Sequence, residues 1–248
     1  MPQYFINRKC ETGKSVSITD DDFHHLKHVR RVHVGDGVYL RDADGVLFTG
    51  WIASIGDHEM IIDVASVVKD CGLEPVIVLG MSLLKHSNFE LVVQKAVEVG
   101  VSDIVPLVTE RTIIDLKGKE SDRIIRWQKI ADEASKQSMR SSIPVIHPPL
   151  TFDQFIEKEK SSPIRIITAP VDNNISLKSA LDKQIGSRAA LLVGPEGGFS
   201  PDEISRARDK DFLCVTIGST QMRAETAGIV ISALLLYEMN ARFHDERN

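Results

Sequence analysis

Residues 190–204 read ALLVGPEGGFSPDEI, and this stretch decides the fold class. An apolar strand ends at Val193, and a glycine-rich turn over 194–198 follows it. Ser200 and Glu203 then match a capping box, with a proline in the first helical position. Glycines let the backbone approach a ligand closely, and ligands of open α/β sheets bind beyond the carboxyl ends of the strands. The stretch predicts a strand, a ligand-binding turn and a helix; a tight turn without a ligand is the alternative interpretation.

A second turn of this kind lies within residues 214–239, CVTIGSTQMRAETAGIVISALLLYEM. A strand leads into the turn at 217–219, and a helix rich in small side chains follows a few polar residues later. Arg223 and Glu225 stand at the start of that helix. An arginine is unfavourable at the positive end of a helix dipole unless it binds an anion or a carboxylate. The pair therefore indicates either an anion-binding site or an exposed ion pair.

The rest of the chain divides into two unlike halves. Up to about Asp70, short stretches of alternating apolar and polar residues punctuated by glycines predict a small β-barrel with one helix. From Pro75 onward, apolar strands alternate with amphipathic helices, which predicts a largely parallel α/β sheet. The predicted domains are therefore 1–72 and 73–248.

The most regular helix of the second half is predicted to begin after Ser87. Ser87 and Glu90 match a capping box, and Gly100 is expected to end the helix. Its apolar side chains fall on one face and are expected to be buried: Phe89, Val92, Val93, Ala96 and Val97.

The composition is that of an ordinary globular protein. The 248 residues are 42% hydrophobic and 26% charged with a net charge of -5, which excludes disordered and collagen-like classes. Three widely spaced cysteines predict free thiols in a reducing compartment rather than a disulfide framework or a zinc site. No secretory signal and no apolar run of membrane-spanning length is present, so we expect a cytoplasmic protein that does not contact a membrane.

Two basic stretches are candidates for phosphate binding. Residues 24–32, HHLKHVRRV, carry Lys27, Arg30 and Arg31 without an acidic residue, and a solvated helix face is the alternative interpretation. Histidines at 24 and 28 are one helical turn apart, but no third ligand is near, so we expect no metal. Residues 111–140 hold further lysines and arginines around a tryptophan, mixed with acids, and are a weaker signal.

Five stretches together resemble the RsmE family of 16S rRNA (uracil-N3)-methyltransferases, over the whole length of the chain. They are GPEGGFSPDEI (194–204), IGSTQMRAETAG (217–228), QKAVEVGVSDIVPLVTERT (94–112), EASKQSMRSSIP (133–144) and HHLKHVRRVHVGD (24–36). The resemblance implies a PUA-like RNA-binding β-barrel followed by a SPOUT-type α/β domain with a carboxyl-terminal trefoil knot. It also implies a homodimer that uses S-adenosylmethionine to methylate N3 of uridine 1498 of 16S rRNA in the small ribosomal subunit, during ribosome maturation.

The resemblance also implies where the site residues lie. The residues expected around the cofactor are Thr168, Ala169, Val193, Gly194, Pro195, Glu196, Gly197, Gly198, Ile217, Gly218, Ser219, Gln221, Met222, Arg223, Thr226 and Ala227. Arg223 would stabilise negative charge on the uracil oxygens, while Glu196 or Glu225 would orient the base or accept its N3 proton. The residues expected to contact RNA are Lys27, Arg30, Arg31, Lys85, Gln137 and Arg140.

Two further functions are compatible with the same sequence features. One is a SPOUT methyltransferase that acts on another RNA position, because pocket chemistry chooses the target atom. The other is a catalytically silent RNA-binding assembly protein, which would bind RNA but no cofactor. A nucleotide-binding enzyme is disfavoured, since the 194–198 turn lacks a P-loop lysine.

Overall fold

The structure of the 248-residue chain is a computed structural model. It describes residues 3–68, 75–85, 87–114, 116, 118–169, 174–216, 218 and 220–245. The chain forms two compact units: one comprises Met1–Gly72 and Lys136–Ser142, and the other comprises Leu73–Ser135 and Ile143–Asn248.

The first unit is built on a curled five-stranded sheet. Its strands are β1 (Gln3–Phe5), β2 (Ser15–Ile18), β3 (Gly37–Arg41), β4 (Leu47–Ile55) and β5 (Met60–Val68), paired in the order β1-β3-β4-β5-β2. One helix, α1 (Asp20–His24), continues into a π-helical segment, His25–Arg30. Two register shifts between β4 and β5 bend the sheet around buried Tyr4, Leu26 and Ile62. The prediction of short strands interrupted by one helix is confirmed.

The second unit contains one parallel sheet. Its strands are β6 (Val76–Ser82), β7 (Asp103–Val108), β8 (Val145–Ile146), β9 (Leu150–Thr151), β10 (Ile164–Thr168), β11 (Ile175–Ser176), β12 (Arg188–Val193) and β13 (Leu213–Thr216). The order is β11-β13-β10-β12-β6-β7-β8, with β9 on β7, and every described pair is parallel. The predicted parallel α/β sheet is confirmed.

Helices cover both faces of this sheet. They are α2 (Asn88–Val99), α3 (Glu120–Gln137), α4 (Phe152–Lys158), α5 (Leu177–Lys183), α6 (Pro201–Arg208) and α7 (Ala224–Asp245). Ile77 and Leu79 of β6 belong to one buried cluster, whereas Val78 belongs to the cluster on the opposite face with Phe155 and Phe199. Because both faces are buried, the strands read as nearly continuous apolar runs.

Helices α2 and α7 pack side by side and run in the same direction. A Cβ placed on Gly228 would lie 3.5 Å from a methyl of Val92, near the start of both helices. A Cβ placed on Gly100 would lie 2.4 Å from a methyl of Leu236, which is further along α7. Both helices therefore begin at the same edge of the sheet.

The beginning of α2 differs from the sequence prediction. The helix and its buried face are as predicted, but the Ser87 side chain makes no capping hydrogen bond. The Glu90 carboxylate instead accepts a hydrogen bond from Arg126 Nη2 at 2.8 Å. The predicted capping box is wrong, because the Ser87 backbone has a ψ of 3° and not the extended conformation from which a serine hydroxyl caps a helix.

Candidate active site

A cavity of about 700 Å³ opens at the carboxyl ends of β13, β10 and β12. Its walls come from residues 168–169 at the end of β10, from 193–198 at the end of β12, and from 215–216, 220–225 and Ala227, which run from the end of β13 into α7; Asn88 of α2 also lines it. The strand order places these three connections next to one another. The cavity therefore lies where an open α/β sheet binds its ligand.

The turn after β12 favours glycine at two of its positions. Gly198 has a φ of +68°, and its N–H donates to the Pro195 carbonyl at 2.8 Å. A Cβ on Gly194 would lie 3.3 Å from the Gly198 backbone. The Ser200 hydroxyl and the Glu203 carboxylate then form both hydrogen bonds of the predicted capping box at the start of α6. The predicted strand, turn and helix are confirmed.

The side chain of Glu196 reaches the next strand of the sheet. Its Oε1 accepts a hydrogen bond from the backbone N–H of Lys85, after β6, at 3.2 Å. The Lys85 side chain is exposed. The Glu196 side chain therefore links the 194–198 turn to the segment after β6. The group of Lys85 that takes part in this link is its main-chain N–H.

The turn after β13 brings Arg223 and Glu225 to the cavity. Arg223 is exposed and Glu225 is half-buried, in the second position of α7. Within the described residues, neither side chain has an ion-pair partner, which disfavours the exposed ion pair that the sequence left open. Both residues line the cavity, where a ligand can reach them.

The wall at the end of β10 is held in place by hydrogen bonds from two polar side chains. Thr168 Oγ1 donates to the Leu192 carbonyl at 3.1 Å. Asn174 Nδ2 donates to the Ala169 carbonyl at 2.7 Å. These bonds fix the end of β10 against its neighbours and keep the wall in place.

Most of the residues predicted to bind the cofactor line this one cavity. They are Thr168, Ala169, Val193, Gly194, Pro195, Glu196, Gly197, Gly198, Gln221, Met222, Arg223 and Ala227. Gly218 and Thr226 lie outside its lining, and Ile217 and Ser219 lie outside the described residues. The three predicted catalytic residues, Arg223, Glu196 and Glu225, all line the cavity.

Five lining residues were not among those predictions: Asn88, Val215, Thr216, Thr220 and Ala224. Four of them, Val215, Thr216, Thr220 and Ala224, belong to the stretch 214–239 and lie on either side of the turn at 217–219. Asn88 is the first residue of α2, which follows the carboxyl end of β6. The rule that places ligands at that edge of the sheet is the signal that would have pointed to it.

Five of the six residues predicted to contact RNA belong to the first unit, and their described side chains differ in exposure. Arg31 is exposed with a left-handed backbone, and Gln137 is exposed. Lys27 Nζ donates to the Gly56 carbonyl at 2.8 Å and is half-buried. Arg140 is only 8% exposed, so an RNA contact requires its side chain to move. The Arg30 side chain lies outside the described part.

None of the helices in the described residues is both long and apolar enough to cross a membrane. The described part of the chain also contains no group of three or more histidine, cysteine or acidic side chains that could hold a metal ion.

Comparison with known proteins gives consistent matches over both units. A family model described as an RNA methyltransferase domain matches residues 73–236, and an RNA methyltransferase PUA domain matches residues 18–65. A relative named ribosomal RNA small subunit methyltransferase E, from Synechocystis, is 33% identical over 89% of this chain and 74% of its own length. A Bacillus subtilis protein of the same name is 25% identical over 96% of this chain and 97% of its own.

Two solved structures are similar over nearly the whole chain. A Neisseria gonorrhoeae ribosomal RNA small subunit methyltransferase E bound to S-adenosylmethionine superposes with a TM-score of 0.86 at 26% identity, covering 96% of this chain and 98% of that one. A Legionella pneumophila methyltransferase in complex with the same cofactor has a TM-score of 0.84 at 28% identity, covering 95% and 97%. The described fold and the cavity at the sheet edge therefore occur in a chain that resembles cofactor-bound methyltransferases along its length.

Proposed function

Because the chain belongs to the RsmE family of ribosomal RNA small subunit methyltransferases, we propose that it methylates N3 of uridine 1498 of 16S rRNA with S-adenosylmethionine. The observation that carries the proposal is one cavity at the edge of the sheet. Residues of both glycine-containing turns line it, together with Arg223 and Glu225. The amino-terminal unit is PUA-like and is the RNA-binding part of the chain.

The residues of the cavity fit the cofactor. Its volume of about 700 Å³ suits a ligand of nucleoside size. Val193, Val215 and Met222 provide apolar surface for a planar base, and the Gly194 turn leaves main-chain groups uncovered where a Cβ would crowd the backbone. Glu196 and Glu225 bring negative charge to the cavity, which complements a cationic ligand. The bound cofactor supplies a methyl group on a positively charged sulfur.

The protein must present uracil with N3 free of its proton and aligned with that methyl group. Glu225 is the better proton acceptor, because in the described structure its carboxylate has no hydrogen-bond donor. Glu196 already accepts from Lys85 N–H and holds the turn in place. We therefore assign the role of proton acceptor to Glu225 and a structural role to Glu196.

Negative charge develops on the uracil oxygens when the N3 proton leaves. The Arg223 guanidinium faces the same cavity and stabilises that charge. Helices α2 and α7 both begin at this edge of the sheet, and the positive ends of their dipoles also stabilise negative charge on the base. Asn88 at the start of α2 adds side-chain N–H groups for a carbonyl oxygen of the base.

The target base must be unpaired or flipped, since N3 is occupied in a base pair. We propose that Lys27, Arg30 and Arg31 hold RNA phosphates and that Lys85, Gln137 and Arg140 also contact the RNA. The family resemblance also implies an assembly and a chain topology: we propose that the protein is a cytoplasmic homodimer and that its carboxyl-terminal chain is knotted. Apolar area on α7 supports a dimer interface, since Leu234 and Tyr237 are 40% and 71% exposed.

The experiment is nucleoside mass spectrometry of small ribosomal subunits that lack the modification, after incubation with the protein and S-adenosylmethionine. We expect new 3-methyluridine at the proposed position and none with Arg223→Ala. Methylation of another atom or position would overturn the substrate assignment alone. A folded protein that binds RNA but no cofactor would instead support a silent assembly protein.

A further inference from the structure

The connection after β7 forms a compact turn at residues 109–112, Thr-Glu-Arg-Thr, that has no role in the chemistry described above. The Thr109 N–H donates to Thr112 Oγ1 at 2.9 Å, and the Thr112 N–H donates to the Thr109 carbonyl at 3.0 Å. The two hydroxyls are 2.8 Å apart. This turn is therefore braced internally and can act as a fixed support.

The 109–112 turn contacts the segment after β12 at two points, one in the 194–198 turn and one in α6. Arg111 Nη1 donates to the Gly197 carbonyl at 2.7 Å. The Glu110 N–H donates to Glu203 Oε1 at 2.9 Å, and Glu203 is itself 1% exposed and caps α6. The segment from 197 to 203 is thus attached to the 109–112 turn at both of its ends.

The sheet topology brings together two loops that are far apart in sequence. In the order β12-β6-β7, the loop after β12 and the loop after β7 follow strands that flank β6 on either side. The two loops meet beyond the end of β6, since a Cβ on Gly197 would lie within 3.5 Å of Arg111 Cβ. The planar, permanently charged end of the arginine can then keep the Gly197 carbonyl in one orientation.

We propose that Arg111 is a positioning residue for the methyltransferase reaction, which holds the 194–198 turn in its cofactor-binding conformation. It acts through Gly197, whose side-chain-free surface lies against the arginine stem: a Cβ there would be 3.5 Å from Arg111 Cβ and Cδ. The inference rests on the proposed function, because it assumes that this turn binds S-adenosylmethionine.

The test is calorimetric titration of the full-length protein with S-adenosylmethionine, together with steady-state kinetics on small subunits. Arg111→Ala should raise the Kd and the KM for the cofactor about 3- to 10-fold, the effect of one hydrogen bond. The kcat at saturating cofactor and the KM for RNA should change less than twofold. Arg111→Lys should give an intermediate Kd, because it keeps a charged donor with a shorter reach.

Arg206→Ala is the matched control. Arg206 also makes one charged hydrogen bond near the surface, to Asp153 at 2.7 Å, but on α6 and outside the cavity lining. Its cofactor Kd should equal that of the wild type, and both alanine variants should keep the wild-type unfolding temperature to within about 4 °C.

The outcomes separate this inference from the proposed function. If the wild type binds no cofactor, the proposed function fails. If the wild type binds and Arg111→Ala binds equally well, the positioning role is overturned. A raised KM for RNA with an unchanged cofactor Kd would also overturn it and would make Arg111 an RNA contact.

Discussion

The conformation of Gly198 allows a quantitative prediction about the cofactor turn. Its φ is +68°, and no atom lies within 4 Å of the position that a Cβ would occupy. Replacement by alanine therefore meets no clash, and the cost is that of the backbone alone, about 1–2 kcal/mol for a residue with a Cβ in the left-handed region. Asparagine tolerates this region better than alanine, and a β-branched residue tolerates it worst.

The expected order of unfolding temperatures is wild type, Gly198→Asn, Gly198→Ala, then Gly198→Val. For a domain of this size, a change of 1–2 kcal/mol lowers the unfolding temperature by about 2–8 °C, which differential scanning calorimetry resolves. If the chain relieves the strain by rotating the turn, the N–H that donates to the Pro195 carbonyl moves away. Cofactor affinity should then fall by a factor of about 5–30.

Gly118 provides the control within the same unit. Its φ is +73° and it also has no neighbour within 4 Å of a Cβ, but it is not part of the cavity lining. Gly118→Ala should therefore carry a similar backbone penalty and leave cofactor affinity unchanged. Wild-type stability in Gly198→Val, or an alanine variant more stable than the asparagine variant, would refute the reasoning about the left-handed backbone.

Three further predictions concern the active site, the RNA-binding unit and acid stability. Arg223→Ala should abolish methyl transfer while cofactor affinity stays within about tenfold, since its charge acts on the acceptor base; an unchanged single-turnover rate would remove its catalytic role. Arg31→Ala should lower the slope of log affinity for RNA against log salt by about 0.7–0.9, the loss of one phosphate contact, whereas no change in slope would exclude Arg31 from the RNA surface. Hydrogen bonds from Lys160 and Lys210 lower the pKa of Glu157 from its usual 4.5 to about 2, so its stabilising contribution is present above pH 4.5 and is lost as the pH falls toward 2. Urea unfolding at pH 6 and pH 3 should therefore show a smaller loss of stability for Glu157→Gln than for the wild type, and equal losses would contradict the assignment.

Local sequence patterns were sufficient to predict the elements around the cofactor turns. Ser200, Pro201 and Glu203 act within one helical turn, so the start of α6 is encoded in neighbouring residues and was predicted correctly. Alternating apolar strands and amphipathic helices likewise predicted the parallel sheet. The same local rule failed at α2, where the Ser87 backbone has a ψ of 3° instead of an extended conformation and its hydroxyl makes no capping hydrogen bond. Ser200 has the extended backbone, with a ψ of 160°, and its box forms although Glu203 also accepts from the Glu110 N–H 93 residues away.

The residues along the chain were enough to predict the class of fold, the two turns and most of the residues that line the cavity. They did not show that Asn88 joins that lining, that Glu196 accepts from Lys85 N–H, or that Arg111 donates to the turn after β12; these contacts appear in the folded chain. Helices, strands and turns can be predicted because they depend on interactions between near neighbours in the chain. Which loops meet at one edge of a sheet depends on strand order, and the order β12-β6-β7 joins segments that are far apart in sequence.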